Sequence, residues 1–202
     1  MSKFVAISGP SLTGKSALSD ELSTYKELSQ AIFVPDIHES VWNQLVAEGA
    51  FSSYSEINKD SEYLCLYIMR LVEYYNSIVS KYEGTDHLVI LDGCWLDLLV
   101  YSMINLWYNR AIKSVQESIL LQISKFDDRI DRIYLTSHDD NLLPNVKNRA
   151  NYKMSNLKLN RALELRYYEI FRNLNPVKVL PSSEPVSNAL YIIQDMEKLG
   201  YL

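Results

Sequence analysis

Cysteine is scarce in this chain. Cys65 and Cys94 are the only two among 202 residues, and neither has partners at the spacing of a zinc site. Two isolated thiols do not build a disulfide framework, so we expect a reducing, cytoplasmic compartment. The three histidines, His38, His87 and His138, are scattered along the chain, which disfavours a histidine-based metal centre.

Long hydrophobic runs and blocks of like charge are also lacking. The most apolar stretch, residues 95–108, is interrupted by Asp97 and Asn105 and is shorter than the ~20 residues that cross a bilayer. We expect a buried core helix there, able to pair across a homodimer, and no membrane partner. The first residues do not form a signal peptide. The net charge of −5 comes from interspersed residues, so nucleic acid as a partner is possible but not favoured.

Five short apolar runs alternate with helical patterns. The runs are residues 4–7, 31–34, 87–91, 129–135 and 177–180. This alternation predicts an α/β fold in three layers, with a five-stranded parallel sheet and helices on both faces. The length and the apolar content of 48% suit one domain. We therefore predict a single domain over residues 1–202, with a small helical lid around residues 144–158.

The first apolar run leads directly into a glycine-rich stretch. Gly9-x-x-x-x-Gly14-Lys15-Ser16 lies between a predicted strand and a helix predicted over about residues 15–28, the context of a phosphate-binding (Walker A) loop. Loop N–H groups would bind phosphate oxygens, Lys15 would reach the β- and γ-phosphates, and Ser16 would offer a hydroxyl to Mg²⁺. An ordinary turn explains neither the spacing nor the context. The predicted nucleotide-binding residues are Gly9, Ser11, Thr13, Gly14, Lys15, Ser16 and Ala17.

Acidic residues stand just past the ends of the second and third predicted strands. Asp36 and Glu39 follow residues 31–34, and Asp92 follows residues 87–91. In open α/β sheets, ligands bind beyond the carboxyl ends of the strands. Asp92 fits a Walker B carboxylate that holds or orients Mg²⁺. The alternative is that this aspartate caps the next helix.

A long helical pattern over residues 57–82 has a second stripe beside its apolar one. The second stripe consists of Tyr63, Tyr67, Arg70 and Tyr74. An arginine among aromatic residues suits a cleft wall, where Arg70 would bind a phosphate or base and Tyr63 or Tyr67 would stack on a base. The alternative is that the tyrosines form the core edge and the arginine extends to water.

A polar, basic break at residues 148–153 separates two later helical patterns. Arg149 stands at this break, where a mobile segment could reach across the phosphates. Arg161, Arg166 and Arg172 lie within the following helical pattern, and a solvated face is the better interpretation of each of them.

Other classes of phosphate-loop protein fit the sequence less well. A GTPase needs a guanine-specifying Asn-Lys-x-Asp, and the nearest match, Asn58-Lys59-Asp60-Ser61, has the wrong spacing. A large ATPase motor normally needs a longer chain. A small kinase remains, in which the loop holds the phosphate donor.

Three further segments carry a more specific resemblance. Phe33-Val-Pro-Asp36-Ile-His-Glu-Ser-Val-Trp42 resembles the strand-two signature of the deoxynucleoside kinases, an acidic residue at the strand end followed by a tryptophan. Leu91-Asp92-Gly93, with Asp97 and Tyr101 beyond it, resembles the Asp-Arg element of thymidylate kinase and of the ribosylnicotinamide-kinase-like ATPases. The segment from Arg132 to Arg149 is similar to the one that leads into the lid arginine of these kinases.

The resemblance, to the phosphate-loop nucleoside and nucleoside-monophosphate kinases, implies an ATP- and Mg²⁺-dependent phosphotransferase. Asp36 would orient the acceptor hydroxyl and take its proton, with Glu39 in reserve, and Arg149 would close over the transferring phosphoryl group. The loop at residues 181–185 would lie near the donor adenine. The predicted catalytic residues are Lys15, Asp36 and Arg149. The predicted metal-binding residues are Ser16 and Asp92. The predicted substrate-binding residues are Asp36, Glu39, Tyr67, Arg70 and Asp92.

The chain also departs from this family pattern. Gly93 stands where the kinases usually have an arginine, and Asp36 is shorter than the usual glutamate. Two other functions therefore stay open. One is a kinase with the same fold that acts on a hydroxyl of a modified base in DNA, and the other is a nucleotide-binding regulator without catalytic activity.

Overall fold

The structure is a computed structural model that describes most of the chain. The described residues are 2–10, 13–52, 56, 61–109, 117, 121, 129–136, 164–166, 168–169, 171–173 and 175–202. The strands are β1 (Lys3–Ser8), β2 (Ile32–Val34), β3 (Leu88–Asp92), β4 (Arg132–Leu135) and β5 (Val177–Val179). The helices are α1 (Lys15–Leu22), α2 (Ile37–Ala47), α3 (Ser61–Tyr82), α4 (Trp95–Asn109) and α5 (Pro185–Lys198), with a short 3-10 turn at Lys26–Leu28.

The five strands form one parallel sheet in the order β2-β3-β1-β4-β5. The predicted five-stranded parallel sheet is confirmed. In the register of the central strand, Ile7 lies opposite Asp92 of β3 and Ser8 lies opposite Leu135 of β4. The carboxyl ends of these three strands therefore meet at one edge of the sheet.

Helices cover both faces of the sheet, as the apolar strands require. Alternate residues of β1 point to opposite faces, so Phe4 and Ala6 pack into a core with α2, α3 and α4. Val5 and Ile7 pack into a second core with α1 and α5. The helix expected near residues 95–108 is present, and its described side chains are mostly buried.

Two predicted boundaries were wrong. The first helix was expected to run over residues 15–28, but α1 ends at Leu22 and a separate 3-10 turn follows. The fourth strand was expected over residues 129–135, but it begins at Arg132. The residue before it, Asp131, accepts a hydrogen bond from the Phe4 N–H of β1 at 2.9 Å. Among the described helices, none has both the length and the apolar character needed to cross a membrane.

An ionic cluster ties β4 to α5. Asp195 Oδ2 accepts hydrogen bonds from Arg132 Nε at 2.9 Å, from Arg132 Nη2 at 2.7 Å and from the Tyr134 hydroxyl at 2.9 Å. The side chains of Arg132 and Asp195 are only 16% and 14% exposed. Burial alone would raise the pKa of Asp195, but the hydrogen bonds from Arg132 and Tyr134 outweigh it and the pKa is lowered. The carboxylate is thus held in its charged form.

We expect Asp195→Asn to lower the free energy of unfolding by roughly 1–3 kcal/mol at pH 7, because the Arg132 guanidinium loses its counter-charge in a mostly buried place. Urea unfolding measures this, with the exposed Glu197→Gln on the same helix as control. Since the folded pKa is depressed, the stabilisation is present above the ordinary value of 3.8 and is lost as pH falls through the folded pKa. Equal stability of both variants and wild type at pH 7 would contradict the assignment.

Candidate functional site

The ends of β2, β3 and β1 meet beside the glycine-rich loop. These strands are parallel neighbours, so the residues that follow them lie next to one another. Gly9 follows β1, Asp36 follows β2, and Asp92 is the last residue of β3. Ligands of open α/β sheets bind at this edge. The fold thus brings together three regions that the sequence singled out separately.

Two glycines shape the loop between β1 and α1. Gly9 has a φ of 146°, and a Cβ there would collide with Thr136 Oγ1 at the end of β4. Gly14 has a φ of 85° and caps the amino end of α1, a conformation that glycine adopts without strain. Thr13 Oγ1 donates to the Pro10 carbonyl at 2.8 Å and lies 2.6 Å from Thr136 Oγ1. Thr136, which sequence reasoning missed, therefore holds the loop from the neighbouring strand.

Lys15 bends back over the loop that precedes it. Its Nζ donates to the Gly9 carbonyl at 2.8 Å and to the Pro10 carbonyl at 3.2 Å. Ser16 and Ala17, in the first turn of α1, are exposed. The positive end of a helix dipole, free backbone N–H groups and a lysine charge are thus combined at one place, which suits a polyphosphate.

Asp92 is a buried carboxylate with an unusual pKa. Its residue is only 3% exposed, and this burial raises its pKa to about 6. The nearby Ser16 hydroxyl and the charge of Lys15 lower the pKa, while the charges of Asp36 and Asp97 raise it further. All four groups therefore act on one small volume at the strand ends.

The chemistry around Asp92 fits a magnesium ion. Asp92 Oδ1 is buried and has no hydrogen-bond partner in the described part of the chain, so one oxygen remains available as a ligand. The Ser16 hydroxyl, which is near enough to Asp92 to lower its pKa, is the other predicted ligand. No group of three or more His, Cys, Asp or Glu side chains suited to a metal occurs among the described residues. Mg²⁺ does not need one, because it keeps waters and is shared with substrate phosphates.

Asp36 caps the amino end of α2. Its Oδ1 accepts from the His38 N–H at 2.8 Å, and its carbonyl accepts from the Ser40 hydroxyl at 3.0 Å. These bonds fix the carboxylate, which is half-buried, at the end of β2. Glu39 lies in the first turn of the same helix and is exposed. Asp36 is therefore better placed than Glu39 to face the loop, as its effect on the pKa of Asp92 indicates.

Asp97 was not predicted as a site residue, yet it binds the loop directly. Its Oδ1 accepts from the Gly9 N–H at 3.2 Å and from the Tyr168 hydroxyl at 2.7 Å, and its Oδ2 accepts from the Cys94 N–H at 2.8 Å. The side chain is buried. In the sequence it interrupted an apolar stretch and belonged to the segment that resembles the Asp-Arg element, but no role was assigned to it. A further signal is its capping-box position in the first turn of α4.

The predicted aromatic and arginine stripe of α3 is divided in the structure. Tyr67 is fully buried, and its hydroxyl lies 3.3 Å from both His38 Nδ1 and the His38 carbonyl oxygen. Arg70 is exposed and faces Glu73 at 3.3 Å and Glu48 at 3.9 Å. The structure thus brings Tyr67 towards the strand ends, whereas the carboxylate partners of Arg70 lie on the outer surface of α2 and α3. Its role in binding an acceptor stays a prediction.

Some predicted site residues lie outside the described part of the chain. They are Ser11 in the loop, Arg149, and the proposed lid at residues 144–158. The predictions for these residues stay predictions.

Comparison with solved structures gives the fold a name. The deoxyadenosine kinase from M. mycoides, with products dCMP and a flexible dCDP bound, matches with a TM-score of 0.66 and 15% identity over 97% of this chain and 99% of that chain. The structure of the same enzyme with bound dATP matches with a TM-score of 0.67 and 15% identity, over 96% of this chain and 99% of that chain. The NadR protein in complex with NR matches with a TM-score of 0.63 and 17% identity, over 98% of this chain and 52% of that chain. This chain has the fold of the phosphate-loop nucleoside kinases.

The likeness is one of structure rather than of sequence. No protein-family model matches the chain, and no curated protein sequence matches it. The predicted resemblance to this kinase group is confirmed at the level of the fold. Identities of 15–17% leave the activity to be argued from the residues.

Gly93 marks a departure from the usual sequence of this kinase fold, and its backbone explains why. Its φ is 90°, a conformation that side chains rarely adopt. Its N–H donates to the Ile7 carbonyl at 2.9 Å and so fixes this conformation against β1. An arginine here would be strained, so any cation for the phosphates must come from another position.

We expect Asp97→Asn to loosen the loop. The two carboxylate oxygens of Asp97 accept three hydrogen bonds. In the asparagine variant an NH₂ group replaces one of these oxygens and faces an N–H or O–H donor, so at least one hydrogen bond is lost. Hydrogen exchange followed by mass spectrometry should show faster exchange in the peptides around Gly9 and Cys94. Tyr168→Phe is the matched control, because it removes one donor and leaves both backbone bonds. Equal exchange in these peptides for the two variants would refute this role of Asp97.

We expect Asp92→Asn to stabilise the metal-free protein at pH 8, on the order of 1–3 kcal/mol, since a carboxylate with a raised pKa is costly to ionise. Asp92 contributes to stability below its ordinary pKa of 3.8, and this contribution is lost as the pH rises through its folded pKa of about 6. The advantage of the variant should therefore shrink towards pH 4. Urea unfolding in EDTA measures it, with the exposed Asp20→Asn as control. An advantage that does not change with pH would show that ionisation is not the cause.

Proposed function

We propose that the protein is a kinase that transfers the γ-phosphoryl group of ATP, with Mg²⁺, to a hydroxyl of a nucleoside or nucleoside monophosphate. The observation that carries this is the meeting of a Lys15-bearing loop, the Asp92 carboxylate and the Asp36 carboxylate at adjacent strand ends. The fold, shared with a deoxyadenosine kinase, supports the same class of activity.

The loop and α1 would hold the phosphate donor. Backbone N–H groups near Gly14 and the amino end of α1 would bind phosphate oxygens, and Lys15 would leave the loop carbonyls to contact the β- and γ-phosphates. Ser16 and Asp92 would hold Mg²⁺ between them. When bound, Mg²⁺ supplies positive charge that neutralises the phosphate oxygens.

Asp36 would prepare the acceptor. Its Oδ1 is occupied by the His38 N–H, so its second oxygen would accept the proton of the substrate hydroxyl. The hydroxyl oxygen forms a bond to the γ-phosphorus as the bond from phosphorus to the bridging oxygen of ADP breaks. Arg149 would close over the transferring group, a role in which an arginine gives ~10³-fold or more in rate.

The described acceptor side favours an uncharged substrate. It contains the carboxylates of Asp36 and Asp97 and the imidazole of His38, while Arg70 faces Glu73 and Glu48 instead. A substrate phosphate would be repelled by these carboxylates. A nucleoside is therefore favoured over a nucleoside monophosphate.

We expect wild-type protein with MgATP to phosphorylate at least one member of a panel of nucleosides and nucleoside monophosphates. Lys15→Ala should lower kcat at least ~100-fold, because a charge on the transferring phosphates is lost. A coupled ADP-release assay measures both. Lys26→Ala, an exposed lysine in the 3-10 turn after α1, is the matched control and should keep full activity.

Two results would overturn this proposal. Full activity of a folded Lys15→Ala variant would remove the donor site from the loop. Binding of ATP without any phosphorylated product from the panel would instead favour a non-catalytic regulator. A hydroxymethylated DNA duplex in the same panel tests the remaining alternative, a kinase of modified DNA.

A further inference from the structure

His38 has no part in the steps described so far, yet it lies within the acceptor side. It stands in the first turn of α2, two residues after Asp36. Its ring packs edge-on against Tyr101 of α4 at 4.9 Å between centroids and lies 6.1 Å from the ring of Tyr67 of α3. Three helices therefore hold this imidazole in one orientation beside the strand ends.

One placement of protons makes both contacts of the Tyr67 hydroxyl with His38 attractive. The Tyr67 hydroxyl donates to the His38 carbonyl at 3.3 Å, and the same oxygen lies 3.3 Å from His38 Nδ1. A phenol has one proton. If that proton goes to the carbonyl, Nδ1 must donate its own N–H to the phenol oxygen for both contacts to be attractive. The neutral ring then has an unprotonated Nε2 with a free lone pair.

The surroundings of His38 keep this ring neutral. Burial lowers the pKa of His38 below its ordinary 6.5, and this outweighs the charges of Asp36 on α2 and Asp97 on α4, which raise it. The charge of Lys15 on α1 lowers it further. At pH 7 the imidazole therefore offers an acceptor rather than a positive charge.

Nε2 of His38 is open to a ligand. It forms no hydrogen bond within the described residues, and it does not belong to the buried polar atoms that lack a partner. His38 is only partly buried, so this nitrogen is within reach of a ligand. The charges of Asp36, Asp97 and Lys15 all act on this ring, and His38 stands two residues after Asp36 at the start of α2, so the imidazole is near the proposed acceptor base.

We propose that His38 Nε2 accepts a hydrogen bond from an N–H or O–H donor of the acceptor nucleoside, and that His38 is thereby a specificity-determining residue. This rests on the proposed function. The donor is either an amino group of the base or a hydroxyl of the sugar, which share this chemistry. Analogues without the donor are selected against, because they leave a largely enclosed acceptor unpaired.

The chain offers two variants that separate the ring from its lone pair. His38→Phe keeps an aromatic ring against Tyr101 and removes the Nε2 acceptor. His38→Gln supplies an amide oxygen as a replacement acceptor. Tyr67→Phe removes the hydroxyl that fixes the tautomer and leaves the imidazole in place. Thermal melting of each variant identifies any that fails to fold.

Equilibrium titration tests the proposal without turnover. Adenine and cytosine nucleosides, with ribose or 2′-deoxyribose, are compared with their analogues that lack the amino group. Wild-type protein should prefer the donor-bearing member of one pair by ~10-fold or more. The preference should fall to about 2-fold or less in His38→Phe and largely persist in His38→Gln. The amino pairs and the ribose pairs show whether base or sugar supplies the donor.

Nitrogen-15 NMR gives a readout that simple packing would not produce. The Nε2 of His38 should show the shift of an unprotonated imidazole nitrogen, which moves when the preferred nucleoside binds. In Tyr67→Phe the two tautomers should mix. A protonated Nε2 in the free wild-type protein overturns the assignment.

The outcomes for this proposal and for the proposed kinase are distinct. An unchanged preference in folded His38→Phe overturns the role of His38 while phosphorylation, if seen, upholds the kinase. Selective binding that depends on His38 without any product upholds His38 and overturns the kinase. If no nucleoside binds to wild-type protein, the role of His38 is wrong, and the kinase is then decided by whether the nucleoside monophosphates of the panel are phosphorylated.

Discussion

The buried carboxylate of Asp97 is the contact on which the geometry of the site depends. It joins the first residue of the phosphate loop, the amino end of α4 and the Tyr168 hydroxyl. A buried charge is tolerated only where hydrogen bonds replace its lost hydration, and three donors do so here. Those donors belong to separate parts of the chain. If one of them moved away, an oxygen of the buried Asp97 carboxylate would lose a hydrogen bond. The loop is therefore fixed from β4 by Thr136 and from α4 by Asp97.

In the described part of the loop, Lys15 satisfies two of the carbonyl groups. Lys15 donates to the Gly9 and Pro10 carbonyls, and Asp92 keeps one buried oxygen without a partner. A ligand with phosphates would exchange the carbonyl contacts of Lys15 for stronger charge-assisted ones. A metal ion would meet an oxygen that already lacks a partner. Binding thus replaces weak or missing interactions rather than opening a packed structure, which is how a site can be rigid before its ligand arrives.

Local patterns in the sequence were enough for the sheet and for the loop. Apolar runs located the strands, and the spacing of Gly9, Gly14 and Lys15 located the glycine-rich loop between β1 and α1, because both signals lie within a few residues. The roles of Asp97, Thr136 and His38 depend on partners 88, 128 and 29 residues away. The periodicity of apolar residues carries no information about pairs so far apart in the chain. The sequence showed Asp97 as an interruption and His38 as a scattered histidine, and only the fold gives each its partner.

The two halves of the site recognise opposite kinds of chemistry. The loop half presents N–H groups and Lys15, all of which donate, so it selects ligands rich in acceptor oxygens. The half formed by α2, α3 and α4 presents the Asp36 carboxylate and the Nε2 lone pair of His38, which accept. A ligand must therefore carry hydroxyl or amino donors to satisfy this second half. Under the proposed function, a polyphosphate would occupy the first half and a nucleoside the second, which would bring the γ-phosphoryl group to the hydroxyl beside Asp36.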